Sequence, residues 1–398
     1  VRDVLEAREE IREIVKAQLR GAALGLVQDL FRQEVENLCG KPYARKRMDL
    51  RLRGGTEPGT IYLEGQRMRV RRPRVRDAGR EVPLESYGAL QEYDVLCEEV
   101  ARRMVRGVST RNYEGVIQEL EGGLGLSRSS VSRAFHQASR KDLDLINGRD
   151  LSKEAWAALL VDGKEFQGAH IVVALGVTEQ GRKVLLGLRE GATENAEVVR
   201  DLVVSIRDRG FDPAGCFLAV LDGAKALKKA IREVFGERAQ VQRCCEHKKR
   251  NVLSYLPKSH HREVRRRLNA AWGMISYAEA RKEMGKVVAW LGEISVTAAA
   301  SLEEGLEETL TVQRLGLSGP LRERFRTTNL LESVLASVEL KTRRVTNWKT
   351  GKEQAMRWTA SALRFHEGKF RRLTGYAQMP VLIAALKEKG VDTRRKVG

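Results

Sequence analysis

Two short apolar runs in this chain end on the same dipeptide. Ala157-Ala-Leu-Leu-Val leads into Asp162-Gly163, and Phe217-Leu-Ala-Val-Leu leads into Asp222-Gly223. Each run has the length and aliphatic content of a buried strand, and packing gives such a strand no use for a terminal carboxylate. Two strand ends lying side by side at glycine turns would present oxygen ligands to hard divalent cations such as magnesium. A third acid, Glu332, follows Arg326-Thr-Thr-Asn-Leu-Leu, where Thr327, Thr328 or Asn329 can cap a helix. Glu332 then sits near the helix start, beside the stripe Leu331, Val334, Leu335 and Val338. Three such acids can hold two cations about 3.5 to 4 Å apart, the arrangement that stabilises both attacking and leaving oxygens in phosphodiester chemistry. Taken alone, Glu332 reads as an ordinary acid in a first helical turn, worth a few tenths of a kcal/mol. Its place after the strand pattern described below recruits it to the set.

The segment Gln242-Arg-Cys244-Cys-Glu-His247-Lys248-Lys249-Arg250 holds the one histidine in a suggestive setting. A single Cys-x-x-His cannot close a tetrahedral zinc site, which needs four ligands. Cys244 and His247 are expected to organise a strand and its turn beside the acids, with Lys248, Lys249 and Arg250 touching phosphates.

The elements that must position these residues follow from periodicity. Strands are predicted at 157–162, 170–177 and 183–188 as an antiparallel meander. A helix over 195–209, a strand at 217–222, a helix over 224–235 and a fifth strand at 240–245 come next, then helices to about 321. The order βββαβαβ followed by helices is that of an RNase H-like core, a mixed five-stranded sheet with flanking helices.

Upstream, Ile11, Ile14, Val15, Leu19, Leu26, Leu30 and Val35 recur at helical spacing, with breaks expected around Gly21 and Gly25. These one or two helices would pack on their own domain or on a second subunit. From Ile61 to Arg76 the pattern alternates, placing Arg67, Arg69 and Arg71 on one strand face and Met68 and Val70 on the other, with Arg72 following. Six arginines between positions 67 and 76 exceed what solubility needs and suggest phosphate contact. Between 87 and 140 a helix, a glycine-containing turn over 121–125 and a second helix capped by Ser127 fit a helix-turn-helix. Ser129, Ser130 and Arg133 would face a major groove, with Val131 and Phe135 inward.

The chain thus divides into 1–45, helical with a candidate dimer interface; 46–86, a basic β-ribbon; and 87–150, the helix-turn-helix region. The catalytic core would occupy 151–255 and 323–378, interrupted by a helical insertion at 256–322 and followed by a tail at 379–398. Its 72 Lys and Arg against 53 Asp and Glu, a net charge of +19, call for a polyanionic partner, DNA or RNA. The five cysteines are scattered and odd in number, which fits a reducing compartment rather than a disulfide framework. No apolar run approaches the roughly 18 residues that span a bilayer and no hydrophobic leader is seen, so the expected location is the cytoplasm, on the nucleoid.

Taken together, Val-Asp162-Gly, Leu-Asp222-Gly, Gln-Arg-Cys244-x-x-His247-Lys-x-Arg-Asn and Arg-Thr-Thr-Asn-x-x-Glu332 resemble the Mutator-type transposases of bacterial insertion sequences. The resemblance runs from the basic ribbon to about residue 375. It implies a DDE enzyme whose acids are Asp162, Asp222 and Glu332, an RNase H-like fold, and an all-helical insertion before the Glu. The 110 positions between Asp222 and Glu332 leave room for that insertion. It further implies two magnesium ions, with manganese as a substitute, and cleavage at element ends with joining of 3′-hydroxyls to target DNA. The partners would be double-stranded DNA, as terminal inverted repeats and target, and a second copy of the chain, since two ends must be paired. Arg326, Arg343 and Arg344 join the expected DNA contacts. Ala226 departs from the glycine that the family often carries there. A structure-selective nuclease on the same core would use the same acids but would not need an end-recognising amino-terminal region. A non-catalytic DNA-binding protein would need none of the acids.

Overall fold

The computed structural model of the chain describes residues 2–42, 51–116, 124–166, 168–345 and 353–397. They fall into two compact units, Val1–Ser139 and Arg140–Gly398.

In the first unit, α1 (Arg2–Cys39) is one continuous helix rather than a helix broken at Gly21 and Gly25. A Cβ on Gly25 would meet nothing within 4 Å, so this glycine costs only helix propensity, about 1 kcal/mol. Packing carries the helix: Val27, Phe31 and Val35 are buried with Ile61, Met68, Val70 and Val75 of a ribbon. That ribbon is β1 (Arg51–Leu63), β2 (Gln66–Asp77) and β3 (Arg80–Val82), antiparallel in that order. β2 turns Gln66, Met68 and Val70 inward and Arg67, Arg69 and Arg71 outward, as its alternation predicts. The short helices α2 (Glu85–Leu90), α3 (Tyr93–Arg106) and α4 (Tyr113–Val116) follow, then α5 (Arg128–Asn147). Ser127 Oγ accepts the Ser130 amide at 3.2 Å, the N-cap geometry expected for α5. Val131 and Phe135 are buried on α5, whereas Ser129 and Arg133 are exposed. Most of the expected glycine turn, residues 121–123, lies outside the described residues.

The second unit opens with β4 (Trp156–Phe166), β5 (Ala169–Thr178) and β6 (Lys183–Glu190). These are followed by α6 (Ala196–Asp208), β7 (Phe217–Leu221), α7 (Lys225–Phe235) and β8 (Ala239–Arg243). The strand order is β6-β5-β4-β7-β8, with β4, β5 and β6 antiparallel and β7 and β8 parallel to β4. Each parallel strand is reached through a helix, as a crossover requires. Leu159 and Val161 of β4 join Phe217, Ala219 and Leu221 of β7 in a core closed by Val199, Leu202 and Ile206 of α6 and Leu227 and Ile231 of α7. Alternation then turns Leu160 and Asp162 to the opposite sheet face.

A helical layer follows: α8 (Cys245–Ser254), α9 (His261–Gly273), α10 (Tyr277–Ile294), α11 (Val296–Glu303), α12 (Leu306–Thr309), α13 (Thr311–Arg314) and α14 (Gly319–Phe325). Its core draws on residues from Cys245 to Leu310 around the buried Trp272, so α8 belongs to the same packed layer. α15 (Asn329–Thr342) returns to pack on β4, and α16 (Gln354–Glu367) packs on β5 and β6. α17 (Met379–Val397) ends the described chain. No described helix is long and apolar enough to cross a membrane.

Candidate functional site

Parallel pairing of β4 with β7 places Val161 opposite Leu221, so Asp162 and Asp222 are the next positions on neighbouring chains. The two acids are not equivalent strand ends, as the repeat had suggested. Asp222 follows the last residue of β7, and its Oδ1 accepts the Ala224 amide at 2.8 Å. Gly223 turns with φ +105°, and a Cβ there would lie 2.5 Å from Arg243 Nε. Asp162 instead lies inside β4, because β5 continues to pair from Val173 opposite Asp162 to Ala169 opposite Phe166. Gly163 is therefore a strand residue, not a turn. Asp162 is 2% exposed and its Oδ1 accepts the Gly163 amide at 2.9 Å.

Glu332 reaches this corner from α15. Thr328 occupies the N-cap position but makes no side-chain cap bond. Its hydroxyl lies in the site, 3.3 Å from Glu332 Oε1 and 3.4 Å from Cys244 Sγ, and hydrogen-bonds the Asp162 carboxylate. Cys244 caps α8 directly after β8, with its amide on the Leu221 carbonyl at 2.8 Å, and so ties the end of β7 to α8. One turn into α8, His247 Nδ1 lies 3.8 Å from Glu332 Oε1, and Arg250 Nη2 donates to the same oxygen at 3.2 Å. Ligand atoms of Cys244, His247 and Glu332 all fall within 4.8 Å of one another. The charges of His247 and Glu332, and of Asp222, all reach Asp162.

The electrostatics follow from crowding. The Asp162 carboxyl is pushed up to about 7, first by burial and then by the charges of Asp222 and Glu332, while His247 and the Thr328 hydroxyl pull it down. Burial also raises the Cys244 thiol, against hydrogen bonds from Thr328 and nearby amides. Carboxylates near enough to oppose the ionisation of Asp162, with Cys244, His247 and Glu332 grouped beside them, form a donor set that a divalent cation would relieve. His247 Nδ1 is buried without a hydrogen-bond partner, which leaves a further nitrogen donor at the Glu332 corner. The residues present therefore fit hard or borderline cations.

The expected DNA contacts are placed unevenly. Arg67, Arg69 and Arg71 stand exposed on β2, but Arg72 is occupied by Glu57 and, at 2.7 Å, by Glu81. Lys248 is not a surface cation: its side chain is fully buried, and Nζ donates to the carbonyls of Ser301 and Glu304 at 2.5 Å. Burial first, and the neighbouring Arg243 next, push its ammonium down to about 8. Lys249 is held by Glu246 at 2.7 Å and by Asn269 at 3.1 Å. Arg250 is exposed but spent on Glu332 rather than on solvent. Arg326 pairs with Glu323 at 3.0 Å. Arg343 is exposed at the end of α15, and burial lowers the Arg344 guanidinium from its ordinary value. Arg133 bonds Ser130 Oγ at 3.3 Å. Trp348 and Lys349 lie outside the described residues. Two features escaped the sequence reading, the Thr328 hydroxyl and the Arg250–Glu332 pair. The four-residue spacing of Thr328 and Glu332 on a helix start was the one local signal for the first.

Comparison with known proteins bears on the chain as a whole. The family described as "Transposase, Mutator family" matches residues 2–365. The transposase for insertion sequence element IS6120 of Mycolicibacterium smegmatis is 30% identical over 246 residues, 60% of this chain and 74% of that protein. That for ISRM5 of Rhizobium meliloti is 26% identical over 356 residues, covering 86% and 84%. That for IS256 in transposon Tn4001 of Staphylococcus aureus is 24% identical over 346 residues, covering 81% and 85%.

Proposed function

Since the chain belongs to the Mutator family of transposases, we propose that it binds the terminal inverted repeats of an insertion sequence and catalyses metal-dependent cleavage and strand transfer of that DNA. The observation that carries this reading is that Asp222 and Glu332, remote in sequence from buried Asp162, both act through their charges to raise the cost of ionising it. The strand order β6-β5-β4-β7-β8, with only the first three strands antiparallel, supports an RNase H-like core. The helical layer between β8 and α15 is then its insertion. Asp162, Asp222 and Glu332 would hold two magnesium ions, or manganese, with His247 beside the Glu332 end. Bound there, the ions supply Lewis-acid stabilisation of the attacking and leaving oxygens of a phosphodiester.

The chain's own residues supply the frame. Adjacent strands β4 and β7 offer Asp162 and Asp222 to the same phosphate, and α15 brings Glu332 from the facing layer. Thr328 orients Asp162 and Glu332 through one hydroxyl, and the Arg250 guanidinium holds Glu332 in place. The exposed Arg67, Arg69 and Arg71, and the Ser129, Ser130 and Arg133 face of α5, are the proposed contacts for the repeats. Pairing of two DNA ends calls for a dimer or larger assembly. The test uses labelled DNA carrying the inverted repeats that flank the coding region. Wild type is expected to nick it with magnesium, and Asp162→Asn to bind it equally but cleave at least about a hundredfold more slowly. Equal cleavage by both proteins would refute the assignment.

A further inference from the structure

Next to the Asp222 turn, a cavity of 340 Å³ opens between α7 and the segment that joins α11 to α12. Its volume is that of a small-ligand site. Lys225, Lys228, Lys229 and Arg232 line it from α7 and Arg243 from the end of β8, against two carboxylates, Glu304 and Glu308. We infer that this cavity is a phosphate subsite for DNA, receiving the backbone next to the phosphate held at the three acids; the inference rests on the function proposed above.

The site is built rather than incidental. Arg243 is only 7% exposed, and its guanidinium lies between two glycines of positive φ. A Cβ on Gly223 would come within 2.5 Å of its Nε, and one on Gly305 within 2.6 Å of Nη1. Nη1 donates to the Glu304 carbonyl at 2.9 Å, yet Nε is buried without a hydrogen-bond partner. The Glu304 carboxylate is approached by three cations, Arg243 at 3.4 Å, Lys225 at 3.7 Å and Lys248 at 3.8 Å, so positive charge is left over. Lys228 pairs with Glu308 and Arg232 with Glu237, while the Lys225 and Lys229 side chains stand 91% and 73% exposed at the rim, Lys229 with Glu233 3.8 Å away. An anion would meet this excess charge together with the positive end of the α7 dipole.

Two features select DNA phosphate over other ligands. The lining holds no aromatic side chain on which a base could stack, so recognition falls on charge. Gly223 is both a wall of the cavity and the neighbour of Asp222, so a strand with one phosphate at the acids passes its next ones along α7. Lysines one turn apart, about 5.4 Å along the helix, can follow that strand.

The test is the full chain carrying Lys225→Gln and Lys229→Gln together, bound to terminal-repeat DNA in calcium across a range of salt. Both side chains are exposed, so folding should be unaffected. The slope of log affinity against log salt is expected to fall by about two, roughly 0.9 for each lost phosphate contact. Affinity at 0.1 M salt should weaken about tenfold or more. Ethylation of the phosphate beside the cleavage junction should interfere with wild-type binding and not with the variant. A wild-type slope overturns the inference, and so does loss of slope with interference mapping elsewhere. Inorganic phosphate that competes for the site as strongly per molecule as the DNA would mark a free-anion site and also overturn it. The catalytic proposal is judged separately: Asp162→Asn that still cleaves would refute the acids while leaving this slope measurement to stand or fall alone.

Discussion

At the scale of single residues, Asp162 carries the pH behaviour and, in the function proposed above, part of the chemistry. Its folded pKa of about 7 lies above the ~3.9 of an unperturbed aspartate. Between these values the folded state retains a proton that the unfolded chain has released, so stability falls as pH rises through that window. Removing the charge should remove the penalty. In the absence of divalent ions, Asp162→Asn is expected to be more stable than wild type at pH 8 by on the order of a few kcal/mol, and so to melt higher, with the gain shrinking towards zero near pH 4. Magnesium should then raise the melting temperature of wild type but not of the variant, because only the former gains a ligand in its native state. Thermal melts over pH and magnesium concentration measure both effects, and a melting difference independent of pH would remove the burial argument. The chain signals the three proposed acids as repeated Asp-Gly dipeptides after apolar runs and an acid in a helix start. It does not signal the links of the Thr328 hydroxyl to Asp162 and Cys244 or the Arg250–Glu332 pair, because the members of each lie far apart in sequence.

At the scale of elements, the ribbon and the strand around Asp162 show what periodicity can and cannot reveal. Alternation along β2 correctly separates buried Met68 and Val70 from exposed Arg67, Arg69 and Arg71. If these arginines track phosphates, replacing all three with glutamine should reduce the salt slope of DNA binding by about 2.7, at roughly 0.9 per contact. Binding isotherms at several salt concentrations decide it, and an unchanged slope would make the strip a solvated face. Arg72, in the same run, is held by Glu57, which the β1–β2 register brings opposite it, and by Glu81 of β3, which lies opposite Arg76. Similarly, an apolar run defines where β4 is buried, but its end is defined by β5, which carries pairing four residues beyond Asp162. The glycines of α1 misled in the opposite direction, since local propensity suggested a break that packing on the ribbon overrides.

At the scale of the whole molecule, the second unit couples its sheet to its helical layer through buried polar bonds. Thr311 Oγ1 donates to the Val241 carbonyl at 2.6 Å, Gln242 Oε1 accepts the Val312 amide at 3.0 Å, and Gln242 Nε2 donates to the carbonyl of Thr309, whose Oγ1 accepts Trp272 Nε1 within the layer at 3.0 Å. α8 rests on the same core as Trp272 and carries His247 and Arg250. Trp272→Ala is therefore expected to cost about 3 to 5 kcal/mol. It should also slow cleavage several-fold at temperatures where the variant stays folded, although no acid is changed. Melting and cleavage measured on one preparation test this, and a destabilised variant with wild-type cleavage would show that the layer does not support the site. Strand and helix order and the cationic balance could be read from residue type and spacing, because periodicity and composition are local properties of a chain. Burial of Lys248, the side of β4 on which Asp162 emerges into the Thr328 pocket, and the clamping of Arg243 between Gly223 and Gly305 depended on the folded molecule. Each is a contact between segments tens of residues apart, whose partners and solvent exposure exist only after packing has brought them together.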